Sequence, residues 1–321
     1  MPGAISVGLQ PLQAAGRRSA PAIEKRGYAM SRLAIFLLWL LHWLPLPILA
    51  MLGRGLGHLL RLLVPQRPHV VATNLRLCFP EKTEAERRAL AREHFALLGS
   101  SLLERGLLWW ASEKRLRRLL KLEGLEHIVA AGHRKSEQPV ILLVPHFLGL
   151  DVGGSTLAMH IDAVSIYSQQ KDAAVDALLK HGRQRFGDQL LLARHEGIRA
   201  TVKALREGRP FYYLPDMDYG PRDAVFVPFF GVPAATITGM SRLAKLTGAR
   251  VHACIVEILP GGRGYVTRVG PAWENYPSDD ATADTARMNA FIEGEIRKLP
   301  AQYYWVHKRF KTRPEGEAGF Y

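Results

Sequence analysis

Residues 139–151 read PVILLVPHFLGLD, and this stretch sets the fold that we expect for the rest of the chain. Five consecutive apolar residues, 140–144, lie between two prolines. A short continuous apolar run of this kind is typical of a strand that is buried on both faces of a parallel sheet. His146 and Asp151 follow it, at the end of the strand where α/β proteins place their ligands.

Similar strand candidates alternate with helical patterns over much of the remaining chain. The predicted strands cover residues 163–167, 211–214, 251–258 and 265–269, and the predicted helices lie around residues 173–186, 197–206 and 238–247. Upstream, a capping-box pattern from Thr83 to Glu86 begins a helical section that we expect to continue through Leu122. The alternation predicts an α/β fold with a mainly parallel sheet flanked by helices.

The N-terminal part of the chain contains an uninterrupted apolar stretch. No residue from Leu33 to Leu52 carries a formal charge, and roughly 20 apolar residues suffice to cross a bilayer core. Pro45 and Pro47 would break or kink a helix in the second half of the stretch. The alternatives are a single span, a kinked hairpin-like insertion, a helix in the membrane interface and a buried core helix. We expect a disordered extension at residues 1–29, a membrane anchor at 30–64 and one domain at 65–321.

The charge of the chain indicates a polyanionic partner. The 321 residues include 43 Lys and Arg against 29 Asp and Glu, which gives a formal net charge of +14. Nucleic acid, an anionic membrane, a phosphorylated lipid and an acidic carrier protein would all suit this surplus. We expect no nucleic-acid partner, because the basic clusters lack interleaved aromatic residues and no known recognition module is present.

Sequence motifs for metal binding and for a serine nucleophile are missing. Cys78 and Cys254 form no CxxC pair, and the twelve histidines show no HExxH spacing. Ser241 does not lie in a GxSxG motif. We therefore expect two buried thiols and no metal ion.

His146 and Asp151 are five residues apart, which would place them about 140° apart on a continuous helix. They can meet only if His146 stays in a loop while Asp151 enters the next helix. A carboxylate that holds one imidazole nitrogen makes the other nitrogen a general base for a hydroxyl group. The alternative is a capping aspartate beside an ordinary half-buried histidine.

A second polar group, Asp216, Asp218, Arg222 and Asp223, crowds a turn after the predicted strand at 211–214. Such residues could bind a divalent cation, anchor a basic side chain or position a polar headgroup, although one DxD pair is too few oxygen ligands for a hard cation. The alternative is a solvated turn.

Basic residues form two further clusters, and arginine in particular clamps phosphate with two parallel hydrogen bonds. Both clusters could bind a phosphorylated substrate or an anionic bilayer, or could form a solvated surface. They comprise Lys180, Arg183 and Arg185, and later Lys308, Arg309, Lys311 and Arg313.

Taken together, these segments resemble the lauroyl/myristoyl acyltransferases of lipid A biosynthesis, the late-acylation branch of the lysophospholipid acyltransferase superfamily. The resemblance runs from about Met30 to the C-terminus. HFLGLD at 146–151 is an HxxxxD motif that is widespread among acyltransferases, whereas the later segments are specific to this family. The matching segments are LLHWLPL at 40–46, NLRLCFPE at 74–81, GRQRF at 182–186, PDMDYGPR at 215–222, VPFFG at 227–231, AATITG at 234–239 and QYYWVHKRFKTRPEG at 302–316.

The resemblance implies a lysophospholipid-acyltransferase-like fold with an N-terminal hydrophobic anchor helix. It implies transfer of a fatty acyl chain from acyl carrier protein to a hydroxyl of a Kdo-bearing lipid A precursor, at the cytoplasmic face of the bacterial inner membrane. His146 would deprotonate the hydroxyl and Asp151 would orient the imidazole, with no cofactor and no covalent enzyme intermediate. The expected substrate-binding residues are Arg183, Arg185, Asp216, Asp218 and Arg222.

Two positions depart from the family pattern. Many members have Glu in place of Asp151, and others have Arg where this chain has Ser168. If that Arg binds phosphate or the oxyanion, its role passes to Lys171, Arg183 or Arg185, or to backbone amides. The alternative functions are acylation of a glycerolipid, aminolipid or glycolipid on the same scaffold, and lipid binding by a catalytically silent membrane protein.

Overall fold

The computed structural model describes residues 22–193 and 197–321. Its helices are α1 (Ala22–Leu41), α2 (Leu46–Leu63), α3 (Gln66–Cys78), α4 (Glu84–Trp110), α5 (Glu113–Leu119), α6 (Leu150–Ala158), α7 (Ala173–Arg183), α8 (Gly197–Arg206), α9 (Gly239–Thr247) and α10 (Ala281–Lys298). Its strands are β1 (Leu120–Glu123), β2 (Val140–Leu143), β3 (Val164–Tyr167), β4 (Leu190–Ala193), β5 (Phe211–Tyr213), β6 (Ala224–Phe229), β7 (Val232–Ile237), β8 (Arg250–Ile258) and β9 (Tyr265–Ala272).

Strand β2 lies at the centre of a seven-stranded sheet with the order β1-β9-β8-β2-β5-β3-β4. Its neighbours β8 and β5 both run parallel to it, and β8 and β9 form an antiparallel pair. Ile141 and Leu143 pack on one face of the sheet with α3, α8, α9 and α10, whereas Val140 and Leu142 pack on the other face with α6. The predicted α/β class and mainly parallel sheet are therefore confirmed, and β2 is buried on both faces as its apolar run predicts.

The register of β2 against β5 brings two loops together. Leu143 is paired with Tyr213 across the two parallel strands. Because parallel strands end at the same edge of a sheet, the residues that follow these two positions enter neighbouring loops. His146 and Asp216 each lie three residues beyond the paired positions, and each follows a proline.

The apolar stretch from Leu33 to Leu52 is divided between two helices. α1 ends at Leu41, and α2 begins after Pro45, which occupies its N-cap. Arg115 of α5 donates hydrogen bonds to the carbonyls of His42 and Leu44 in the connecting segment. Among the described residues one helix, Leu46–Leu63, is long and apolar enough to cross a membrane. The predicted anchor from Leu33 to Leu52 is thus not one continuous helix, because its prolines interrupt it.

α2 packs along α4 through glycines on both helices. A Cβ atom at Gly57 would lie 1.8 Å from the carbonyl oxygen of Phe95, and one at Gly99 would lie 2.1 Å from the carbonyl oxygen of Gly53. The face of α2 turned away from α4 exposes large apolar side chains, among them Met51 and Leu62. α2 therefore packs on the domain through its glycine face and exposes an apolar face on the opposite side.

The main differences from the predicted elements are the two edge strands of the seven-stranded sheet, the separate hairpin β6–β7 and the start of α1. Residues 120–123 form β1 and not the end of a helical section, and their LKLE alternation is itself a strand pattern. β4 and the antiparallel hairpin β6–β7 were not predicted. Helix α1 begins at Ala22, within the extension predicted to be disordered, and residues 1–21 lie outside the described residues.

Two smaller predictions are confirmed. The side chain of Thr83 and that of Glu86 form a complete capping box at the start of α4. Cys78 and Cys254 are both free and buried.

Candidate active site

His146 lies in the loop between β2 and α6, and its imidazole contacts a buried carboxylate. Nδ1 of His146 is 2.6 Å from Oδ1 of Asp216, and the backbone N–H of His146 donates to Oδ2 of the same residue over 2.9 Å. The side chain of Asp216 is completely buried, whereas that of His146 is 14% exposed. With Nδ1–H donated to Asp216, Nε2 is the nitrogen that can accept a proton.

The electrostatics of the pair keep Asp216 ionised. Burial alone would raise the pKa of Asp216, but attraction to His146 and the two hydrogen bonds from His146 outweigh burial and lower it. An acceptor-only carboxylate with two donors from one residue fixes the imidazole in a single orientation. This is the arrangement of a general base and its orienting acid.

Asp151 has different partners. Its Oδ1 accepts from Nη2 of Arg183 over 3.2 Å, and its Oδ2 lies 3.2 Å from Nη2 of Arg105 on α4. Burial would raise the pKa of Asp151, but these two guanidinium groups together lower it. The prediction that Asp151 orients the imidazole is corrected: in this structure Asp216 contacts His146, and Asp151 bridges two arginines.

The turn between His146 and Asp151 depends on a close approach to β8. A Cβ atom at Gly149 would lie 2.8 Å from Cγ1 of Val256. Gly149 has φ −80°, which other residues also adopt, so the position requires a small residue for lack of space. Glycine here lets α6 begin directly behind the histidine loop.

The C-terminal segment holds the histidine loop from behind. The backbone N–H of Tyr304 donates to the carbonyl of His146 over 2.8 Å. Asn74 on α3 donates to the carbonyls of Trp305 and His307, over 2.7 and 2.8 Å.

His307 links the C-terminal segment to the Asp216 loop, because its Nε2 accepts the backbone N–H of Asp218. Burial, together with the nearby Arg309 and His146, lowers the pKa of His307 to about 4. His307 is therefore a neutral structural link between the C-terminal segment and the Asp216 loop.

Two residues predicted to bind substrate serve the interior of the protein. Asp218 accepts the backbone N–H and the hydroxyl of Thr312 over 2.6 and 2.8 Å, and its side chain is completely buried. Arg185 donates to the carbonyls of Leu108 and Ala111 at the end of α4. Both predictions are corrected, because these side chains are already occupied by partners within the chain.

The basic C-terminal cluster is also partly internal. Arg309 is 1% exposed and donates to the carbonyl of Ala235 and the hydroxyl of Thr236. Its guanidinium lies 4.9 Å from the ring of Phe229. A solvated basic surface is therefore wrong for Arg309, although Lys308 beside it is exposed.

His146 opens into a cavity of about 1380 Å³ at the carboxyl ends of β2, β5 and β3. Its walls combine leucine and isoleucine side chains from α4, α6, α7, α8 and α9 with several cations. The cationic and acidic lining residues are Arg105, Lys180, Arg183, Arg222, Arg242, Asp151 and Asp223. The cavity is large enough for a long apolar chain and carries an excess of positive charge.

The remaining predicted residues differ in whether they line this cavity. Arg183 and Arg222, two of the predicted substrate-binding residues, line the cavity, whereas Lys171 and Arg185 are not among its lining residues. Arg105 also lines it, and sequence patterns did not single it out, since it lies within the long helix α4. Within residues 22–193 and 197–321, no three His, Cys, Asp or Glu side chains are grouped closely enough to hold a metal ion.

A histidine held by a buried aspartate, at the head of a large apolar and cationic cavity, is an arrangement that is chemically able to abstract a proton from a hydroxyl on a bulky anionic substrate. The chain belongs to the bacterial lipid A biosynthesis acyltransferase family, whose model matches residues 18–312. It is an acyltransferase, and the predicted family is confirmed.

Individual relatives cover nearly the whole chain. The chain is 38% identical over 290 residues to the lipid A biosynthesis lauroyltransferase of Escherichia coli K12, covering 90% of this chain and 94% of the relative. It is 33% identical to the palmitoleoyltransferase of the same organism, with 92% and 95% covered, and 34% identical to its myristoyltransferase, with 84% and 82% covered. Among solved structures it is similar to a 1-acyl-sn-glycerophosphate acyltransferase from Thermotoga maritima, with 13% identity, a TM-score of 0.36 and coverage of 77% of this chain and 99% of that chain.

Proposed function

We propose that this protein transfers a fatty acyl chain from acyl carrier protein to a hydroxyl of a hydroxyacyl chain on a Kdo-bearing lipid A precursor. The observation that carries the proposal is the His146–Asp216 pair at the head of the cationic cavity. Membership of the lipid A acyltransferase family supplies the reaction class. Residues of this site can be assigned to each reacting group of the donor and the acceptor.

Proton transfer is assigned to His146. Nε2 takes the proton of the acceptor hydroxyl, and the alkoxide attacks the thioester carbonyl of the donor. The resulting tetrahedral intermediate expels the thiolate, which receives the proton from the imidazolium. Asp216 stays ionised and stabilises that imidazolium, so neither a metal ion nor a covalent enzyme intermediate enters the scheme.

Recognition of the phosphate groups of the acceptor is assigned to the pair Arg105 and Arg183. Asp151 holds both guanidinium groups at the wall of the cavity, and both arginine side chains are more than one third exposed. Two guanidinium groups that share one carboxylate keep donors free for a second oxyanion. Arg222, which also lines the cavity, is a further candidate for the anionic part of the acceptor.

Attachment to the membrane is assigned to α1 and α2. The uncovered apolar side chains of these helices and of the segment that joins them include Leu33, Phe36, Trp43, Met51 and Leu62. α2 is packed tightly on α4 through glycines, so it is better suited to lie in the interface with one apolar face buried than to cross the bilayer alone. We propose the cytoplasmic face of the inner membrane, where an acyl carrier protein is accessible.

The test compares purified wild-type protein with His146→Ala, using acyl carrier protein loaded with a fatty acid and a Kdo-bearing precursor. Loss of the base should lower kcat by about 10²–10⁴-fold. The product is identified by mass spectrometry as the precursor plus one acyl chain. If His146→Ala turned over at the wild-type rate, the general-base assignment would be wrong. If lipid A from cells that lack the protein kept all of its acyl chains, the acceptor assignment would be wrong.

A further inference from the structure

A second depression, of about 450 Å³, lies on the outer surface of helices α8 and α9. Two strongly exposed apolar side chains, Ile198 on α8 and Leu246 on α9, are each 57% exposed. We call this surface the α8–α9 patch, and it consists of Ile198, Arg199, Val202, Lys203, Arg206, Glu207 and Leu246.

The rim of the α8–α9 patch is cationic. Arg199, Lys203 and Arg206 are exposed at spacings of four and three residues, which places them along one side of α8. The acidic residue at the rim is Glu207, whose carboxylate lies 3.9 Å from Nζ of Lys203. Within the described part of the chain, Arg199 and Arg206 form no ion pair. The rim therefore presents an excess of positive charge to a partner.

The α8–α9 patch adjoins the catalytic cavity. Ile198 and Leu246 line both the depression and the cavity that contains His146. Arg242, one turn before Leu246 on α9, is exposed and also lines the cavity. A molecule bound on the patch would thus have direct access to the cavity past two apolar side chains.

The patch and the apolar helices α1 and α2 have different main packing partners. α8 and α9 pack on the sheet face that contains Ile141 and Leu143, whereas α6 packs on the opposite face. α1 contacts α4 and α7, and α2 contacts α4. The exposed apolar side chains of α1 and α2 are therefore carried by helices that pack mainly on α4 and α7, whereas α8 packs mainly on α9, β3 and β4.

We propose that the α8–α9 patch is the docking surface for the acidic carrier protein that presents the acyl thioester, a proposal that rests on the donor assigned above. Two apolar side chains flanked along α8 by arginine and lysine match the usual anatomy of a protein interface with an apolar centre and a polar rim. A membrane surface is less well matched, because the patch has only two large exposed apolar side chains while α1 and α2 carry many. Docking here would direct the acyl chain past Ile198 and Leu246 towards His146.

The experiment measures KM for two donors with the full-length enzyme. One donor is the acyl group on intact acyl carrier protein, and the other is the same acyl group on pantetheine alone. The test variant is the double charge reversal Arg199→Glu with Arg206→Glu. The matched control reverses two exposed cations of α5, Lys114→Glu with Arg118→Glu, because α5 adjoins β1 at the opposite edge of the sheet from β4.

The test variant should raise KM for the carrier-bound donor by about tenfold or more, since rim charges govern electrostatic docking. KM for acyl-pantetheine should change less than about twofold, and the control should leave both values near wild type. Added salt should raise the wild-type KM for the carrier-bound donor and affect the test variant less, because salt screens exposed charges.

Other outcomes overturn the proposal in distinguishable ways. An unchanged KM for the carrier-bound donor in the test variant would show that the patch does not dock the carrier. Weaker binding of the test variant to vesicles of phosphatidylglycerol, with both donors affected alike, would identify the patch as a membrane contact. A wild-type enzyme that uses acyl-pantetheine but gains nothing from the carrier would refute the assigned donor itself, before any variant is compared.

Discussion

Replacing Asp216 with asparagine should remove the proton acceptor function of His146 while preserving the shape of the site. In the wild type, one carboxylate oxygen accepts the backbone N–H of His146 and the other accepts Nδ1–H. An asparagine side chain offers only one oxygen for these two donors. If that oxygen accepts the backbone N–H, the amide NH₂ faces Nδ1 and favours the tautomer with its proton on Nε2. The base would then be blocked.

The expected loss follows from the charge that forms during the reaction. When Nε2 takes the proton, the imidazolium lies against the carboxylate of Asp216. At an effective dielectric constant of about 20, two unit charges about 4 Å apart attract by about 4 kcal/mol. Removing that attraction from the transition state corresponds to a decrease in kcat of about 10³-fold. KM for the acceptor should change little, because Asp216 is buried behind the histidine.

The assay measures kcat and KM for the acceptor in Asp216→Asn and in Asp218→Asn. Asp218→Asn is the matched control, because it removes another fully buried carboxylate two residues away, one that holds Thr312 rather than His146. The control should lower the melting temperature but keep kcat within about tenfold of wild type. The pairing of His146 with Asp216 would be refuted if Asp216→Asn kept kcat within tenfold while Asp151→Asn lost it.

Three further changes test other parts of the structure. Arg105→Ala should raise KM for the phosphorylated acceptor by about 10–100-fold, the loss of one charge-assisted hydrogen bond, and an equal effect on an acceptor without phosphate would contradict the phosphate assignment. Burial, opposed in part by Tyr265, raises the pKa of Glu104 to about 7; the carboxylate form is thus disfavoured in the folded state, and stability falls as the pH rises through that value. Glu104→Gln should remove this pH-dependent loss. The free energy of unfolding of the variant minus that of wild type, measured with urea, should therefore increase by up to about 3 kcal/mol between about pH 4 and about pH 8. A difference that stays the same at both pH values would argue against the raised pKa of Glu104. Gly57→Ala should destabilise by about 1–3 kcal/mol in thermal unfolding, because its Cβ meets Phe95, whereas Gly55→Ala, which meets no atom within 4 Å, should be neutral or stabilising.

The sequence identifies the strand and the histidine but not the partner of the histidine. Asp151 is five residues away along the chain, and that proximity favoured it. Asp216 is 70 residues away and reaches His146 because β2 pairs with β5. β3 and β4 lie between β2 and β5 in the chain, although β2 and β5 are neighbours in the sheet. The order of strands in the sheet therefore decides which carboxylate contacts the imidazole, and local sequence patterns do not encode that order. A usable signal was present: both residues follow an apolar strand and a proline at the same offset.

Charge patterns predicted the lining of the cavity less well than apolar patterns predicted the strands. Arg183 and Arg185 are two residues apart, yet one lines the cavity and the other binds carbonyls at the end of α4. Residues two apart on a helix or turn point in different directions, so a basic cluster does not act as a unit. Arg105 was missed for the converse reason, because it lies among helical residues without a cluster and gains its role from the fold.

The two aspartates near His146 divide the electrostatics of the site between them. Asp216 balances the charge that appears on the imidazole: its carboxylate accepts two hydrogen bonds from neutral His146 and forms an ion pair with the imidazolium after proton transfer. Asp151 is shared by two arginines, which leaves one positive charge at the cavity wall uncompensated by that carboxylate. A substrate phosphate or a developing oxyanion would supply the missing negative charge. In the proposed mechanism, an acceptor bound beside Arg105 and Arg183 would therefore neutralise the cavity wall and leave His146 paired with Asp216, because the arginines and the histidine rely on different carboxylates.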